Sequence, residues 1–404
     1  MFKSVMARVV VLLFIAVPSA VFAGVREQAK VMHDRLTGVP PSEAVLLDMA
    51  ADLQVGDYTR AAYTAMDNSA FLNVTVKNWA TPWSNRDRDV FSELNDYTTT
   101  VIGVVRDELD FRSILYADLA YIADPDLGLA PYSTSNNTQF NQLEEQGLPL
   151  VTALVQRQQS TINNLPAEAT AGVMTSRAAA KAFFIDGTNR AMLRFTLLSH
   201  LCRDLEQVHD TTRPPDRIRQ DVSRSPGGDS RVFLNSCIGC HSGMDPMAQA
   251  FAYYDFTYDA DNDPQASTGA INFNDIGQQD AATGLRVTAK YHINSANFPY
   301  GFLTLDDRWD NYWRVGLNSN LGWDSSLPGT GNGAKSMGQE LAHSGAFAQC
   351  QVEKVFKTVC LREPADAADR SHILDTTGSF QDPNQYSYNI KQVFATTANY
   401  CKGS

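Results

Sequence analysis

RVFLNSCIGCHSGMDPMAQAFAYYDF, Arg231 to Phe256, is the stretch around which the chain is organised. Inside it lies CIGCH, Cys237 to His241. Two thiols separated by two residues, with a histidine directly after the second, form the attachment pattern of c-type haem. Cys237 and Cys240 each suit one vinyl group of a porphyrin, and His241 then stands beside the iron as a ligand. A disulfide hairpin or half of a zinc site is the plainer alternative. A structural zinc site commonly takes a second Cys or His pair at similar spacing. The chain has no second C-x-x-C, and the next cysteine is Cys350.

The N-terminus favours the haem reading. Residues 1–23 read as a secretory signal, with Lys3 and Arg8 before an apolar run from Val9 to Val17. That run is too short to span a bilayer, and Val21-Phe22-Ala23 gives small residues for cleavage before Gly24. Export is the setting in which covalent haem is attached, so the protein is expected to be periplasmic or otherwise exported. No later run is apolar enough to span a membrane.

The formal net charge is −12, and removing Lys3 and Arg8 leaves 31 basic against 45 acidic residues. That balance argues against nucleic acid and anionic membranes as partners. It suits a redox partner protein of basic surface. Besides Cys237 and Cys240, the chain holds Cys202, Cys350, Cys360 and Cys401. Disulfides are the default for four cysteines in an exported chain, and three pairings are open.

The remaining pattern predicts a mainly α chain. Ser42 reads as the cap of a helix over SEAVLLDMAADL. Phe71 to Trp83 reads as a short strand or irregular connection. Helices are expected over Asp89 to Leu109, Phe111 to Ala123, Pro149 to Thr161, and Ser176 to Cys202 with a break near Gly187. Pro, Gly and charge between Arg213 and Ser230 mark a boundary. Arg213, Arg217, Arg219, Arg224 and Arg231 there read either as solvated linker or as partners for haem propionates. After the motif the helix is expected to continue through the aromatics Phe251, Tyr253, Tyr254 and Phe256, which either line the haem pocket or are plain core. Residues 257–333 read as loops with short strands such as LRVTAKYHI. A helix from Lys335 to Leu361, broken near Ser344-Gly345, and a last one reaching Cys401 close the chain. The domains are then residues 24–214, mainly helical, and residues 215–404, cytochrome c-like, with an insertion at about 257–333.

The order of these elements resembles a family of exported cytochrome-like proteins of unassigned function. The resemblance rests on Leu201-Cys202, on Cys237 to His241 followed by Asp245-Pro246, and on Phe347 to Cys350. It implies a helical domain joined to a haem domain; the stretch between Tyr258 and Trp313 departs from the pattern. It also implies a Cys202–Cys350 bridge between the two parts. Ten residues of helix, about 15 Å, keep Cys350 from Cys360. Cys360 is then expected to pair with Cys401, with Cys202 to Cys360 or Cys401 as the alternatives.

Opposite His241, Met337 in GNGAKSMG is the first candidate for a second iron ligand, because small cytochromes c place a loop methionine before a closing helix. His292, His343 and an open position are the alternatives, and Met244 and Met247 read as packing. The expected protein is an electron carrier with one covalent haem c. A haem enzyme of peroxidase type, or an envelope binding protein with a structural haem, is the alternative.

Overall fold

The computed structural model describes residues 24–292 and 298–403. The expected secretory signal, residues 1–23, lies outside the described residues. Helices dominate, as the sequence pattern predicts, and strands form three short antiparallel pairs among the described residues.

Three N-terminal helices, Val25–Thr37, Glu43–Gln54 and Tyr58–Met66, form the first layer. Ser42 Oγ accepts from the Val45 amide at 3.3 Å and Asp57 Oδ1 from the Arg60 amide at 3.0 Å. Each side chain satisfies a helix-end N–H that has no partner within its helix. These helices pack on the C-terminal helices Gly345–Cys360 and Ile390–Cys401, across residue 214. Arg35 donates to the Cys360 carbonyl at 2.6 Å, and Phe71 meets Phe394 edge-on at 5.3 Å. One apolar core runs from Ala29 through Ala398.

Five stretches differ from the sequence pattern; in the first, the helix expected to continue through Phe256 gives way to a strand, Tyr254–Thr257, paired with Ala270–Phe273. Phe71 to Trp83 is helical throughout, not extended. Its buried residues Phe71, Leu72, Thr75, Val76, Trp79 and Ala80 recur at a helical spacing, which burial enforces over strand preference, while the β-branched Val74 is left exposed. Phe111 to Ala123 is a tight turn over Phe111–Leu115 followed by a strand, Ala120–Ala123. That strand pairs with Leu154–Arg157, inside the stretch expected as helix, where only the short turns Leu150–Ala153 and Gln159–Thr161 are helical. All four residues of Ala120–Ala123 are buried, and a fully buried short run carries no period that separates strand from helix. Within LRVTAKYHI, Ala289–His292 is a tight helical turn, with Val287 and Tyr291 buried four apart. Other predicted features are present. The helix pair Arg177–Phe184 and Asn189–His200 breaks around Gly187, and Ser344 caps Gly345–Cys360 after Gly333–Ala342.

Two disulfides are formed, Cys202–Cys350 and Cys360–Cys401, with Cα separations of 5.3 and 5.4 Å. The first joins the end of Asn189–His200 to the closing helix, and the second pins the last helix to it. Among the described residues, no helix is long and apolar enough to cross a membrane.

Candidate functional site

The motif helix is Ile238–Ala248, preceded by a wide helical turn over Phe233–Cys237. Asp229 starts this run by accepting from the Arg231 amide at 2.9 Å. Two glycines seat the helix. A Cβ on Gly239 would run into the His209 ring, and one on Gly243 into Trp313. The chain on that side is tied down by the Asp210 amide, which donates to the Gly239 carbonyl at 2.9 Å.

Cys237, Cys240 and His241 stand three and four residues apart, so they share one helix face. All three are half-buried, whereas Ser242 through Ala248 are buried. Both thiols are free of disulfides, and Cys240 Sγ approaches the Leu205 carbonyl at 3.6 Å. Burial raises the pKa of the Cys240 thiol, and the Glu206 and Asp204 charges add to the rise.

The imidazole of His241 is held from below. Its Nδ1 lies 3.1 Å from Asp245 Oδ1. Asp245 has no exposed side-chain surface and collects three further N–H groups: Arg190 Nε at 2.6 Å, Arg190 Nη2 at 2.6 Å and the Arg219 amide at 3.1 Å. Arg190 also makes two bonds to Asp221, at 2.7 and 3.0 Å, and Arg219 reaches Asp221 at 3.2 Å. Two guanidinium groups thus balance two carboxylates. Burial alone would raise the Asp245 pKa, but Arg190 and His241 overcome it and hold the group well below the usual carboxylate range. An ionised carboxylate only accepts, so the proton between the two groups sits on Nδ1. No hydrogen bond among the described residues uses Nε2.

The candidates for a second ligand lie on other elements than the motif helix. Met337 is fully buried in Gly333–Ala342 as part of the main core, where Met244 and Met247 also lie. His292 Nε2 meets the Thr304 carbonyl at 2.7 Å, and His343 Nδ1 the Gln339 carbonyl at 2.8 Å. The metal-binding expectation is corrected: among the described residues, no group of three or more His, Cys, Asp or Glu comes together to hold a metal ion. At the motif, His241 turns its Nδ1 to Asp245, and Asp245 is engaged by Arg190 and the Arg219 amide.

The arginines of the linker are already engaged. Arg213 pairs with Asp210, Arg217 with Asp310, Arg219 with Asp221 and Arg231 with Asp229, while Arg224 donates to the Val222 and Ile218 carbonyls. Phe251 and Tyr254 are core, and the Tyr254 hydroxyl donates to the Ala169 carbonyl at 2.6 Å. Sequence reasoning missed Asp245 as a partner of His241, though its place four residues on in one helix was the available signal. Arg190 carried no such signal, being 55 residues away from Asp245. Compared with known proteins, the chain matches no protein-family model, no curated protein and no solved structure.

Proposed function

We propose that the chain is an exported c-type cytochrome that carries one covalent haem and passes single electrons. The observation that carries this reading is the half-buried helix face on which two free thiols and one imidazole with an open Nε2 stand together. Cys237 and Cys240 are the residues that would anchor the ring, each by adding its S–H across one vinyl double bond. His241 is the residue that would bind the iron. When bound, the haem supplies one-electron redox chemistry. A haem iron needs only one or two ligands from the chain, so this chemistry calls for no cluster of metal-binding side chains. Asp245 keeps the imidazole proton on Nδ1, and the packing of Gly239 and Gly243 fixes the helix behind it. Two disulfides suit an exported chain. The net charge of −12 suits a basic redox partner.

Intact mass of the protein from a host competent in haem attachment tests the proposal. One added haem is expected on the wild type and none on Cys237→Ser/Cys240→Ser. An unmodified wild-type mass overturns it. A haem-loaded protein that turns over peroxide moves the reading from carrier to enzyme.

A further inference from the structure

We propose that Asp245, fixed by Arg190, is a positioning residue for His241 that sets the reduction potential of the site; this rests on the haem reading above. The ordinary way to orient a ligating imidazole is to let its other ring nitrogen donate to a backbone carbonyl, a water or a carboxylate. Here the acceptor is a full carboxylate with no solvent exposure, reached across one helical turn. A carboxylate partner raises the donor strength of the imidazole. A stronger donor favours the oxidised iron, so the potential is held down.

The surroundings are built for this task rather than for stability alone. A lone carboxylate buried this deeply would be too costly to keep charged. Three N–H groups from Arg190 and Arg219 meet it, and both guanidinium groups are in turn held by Asp221. Arg219 has a further anchor in Asn189 Oδ1 at 2.8 Å. The outer residues therefore hold Asp245 in one place, and the one bond it makes outside this network goes to His241. Arg190 comes from the helix Asn189–His200 and Asp221 from the linker, so the orientation of His241 depends on two segments remote in sequence.

The test is the midpoint potential of the haem-loaded protein. Asp245→Asn is expected to raise it by the equivalent of about tenfold in the reduction equilibrium, roughly 59 mV for one electron. That variant leaves a buried guanidinium short of a partner and is at risk of failing to fold. Asp245→Asn/Arg190→Met removes one charge of each sign and leaves Asp221 paired with Arg219. The same rise is expected there. On the wild type, the His241 Nδ1 proton in the reduced state is expected to exchange slowly with solvent. An unchanged potential in either folded variant overturns the inference while leaving the haem intact, and so does a freely exchanging Nδ1 proton. A wild type without haem removes the reading on which it rests.

Discussion

Two histidines of this chain are each held by one side-chain hydrogen bond, and they illustrate opposite uses of the same side chain. His241 stands half-buried with a charged partner, Asp245, and leaves one ring nitrogen open. His200 is fully buried with a neutral partner, the Tyr97 hydroxyl at 2.7 Å from Nε2. Its ring packs against Trp83 and Phe347, and its Nδ1 has no partner. Lys354 lies beside it, 3.3 Å from the Trp83 ring centre, donating to the Ser199 carbonyl at 2.6 Å. Burial, reinforced by Lys354, pushes the His200 pKa well below the usual imidazole range. Burial likewise pushes Lys354 well down, helped by Arg88. One site keeps its charges by pairing them; in the other, burial disfavours the charged form of both bases. Each ring keeps one nitrogen without a hydrogen bond, but only His241 reaches solvent, and that separates a candidate ligand from a core residue.

The largest expected effect separates the two sites by stability. Cys202–Cys350 clamps the end of the helix that bears His200 and closes a loop of 148 residues. Cys202→Ser/Cys350→Ser is expected to cost about 4–5 kcal/mol by constraining the unfolded chain less. Urea unfolding measures it. The haem content of the folded fraction should stay that of the wild type, because the motif face lies on another helix. Loss of haem together with stability would show that the two regions are one unit.

A smaller effect asks whether Met337 belongs to the core or to the motif. It is fully buried among apolar neighbours. Met337→Ala is expected to cost about 3 kcal/mol through the cavity it leaves. The visible spectrum of the haem-loaded protein should not move. A spectral change without loss of stability would place Met337 at the iron instead.

How much of this was legible in the sequence follows the same division. The motif face was readable because CIGCH fixes three side chains by spacing alone. Helices with caps or breaks in the residues themselves, at Ser42, Gly187 and Ser344, were also readable. The pairing of the four remaining cysteines followed from the resemblance, since spacing excluded only Cys350 with Cys360. The stretch Phe71 to Trp83 misled because strand-preferring residues were placed at helical spacing by burial. Ala120–Ala123 misled because a short run buried on all sides has no period. The ionic support of His241 was invisible for a different reason. Arg190, Asp221 and Asp245 look like ordinary charged residues until folding brings three distant segments into contact. His200 gave no signal either, since its surroundings come from Trp83, Tyr97 and Phe347.

The smallest expected effect is a pH dependence of stability that belongs to the enclosed site. His200 has its pKa lowered in the folded state, and burial lowers His33 and His372 in the same direction. In the unfolded chain these rings take up protons below about pH 6.5. The folded chain takes them up only at lower pH, so the unfolded state binds more protons in that window. Stability contributed by neutral His200 is therefore present above about pH 6.5 and lost as pH falls, by up to roughly 1.4 kcal/mol per pH unit for each proton. Lys354 has the same sign, since its neutral form is favoured only when folded. The depressed carboxylates Asp245 and Asp221 also act in this direction, but below the usual carboxylate range near pH 4. Between pH 8 and pH 5.5 the urea midpoint is expected to fall. His200→Phe removes the titrating group and should flatten that fall while lowering the midpoint at pH 8, because the Tyr97 hydroxyl loses its partner. A midpoint that holds steady down to pH 5.5 in the wild type would mean that His200 accepts a proton inside its aromatic enclosure. The contrast with His241 would then no longer rest on charge.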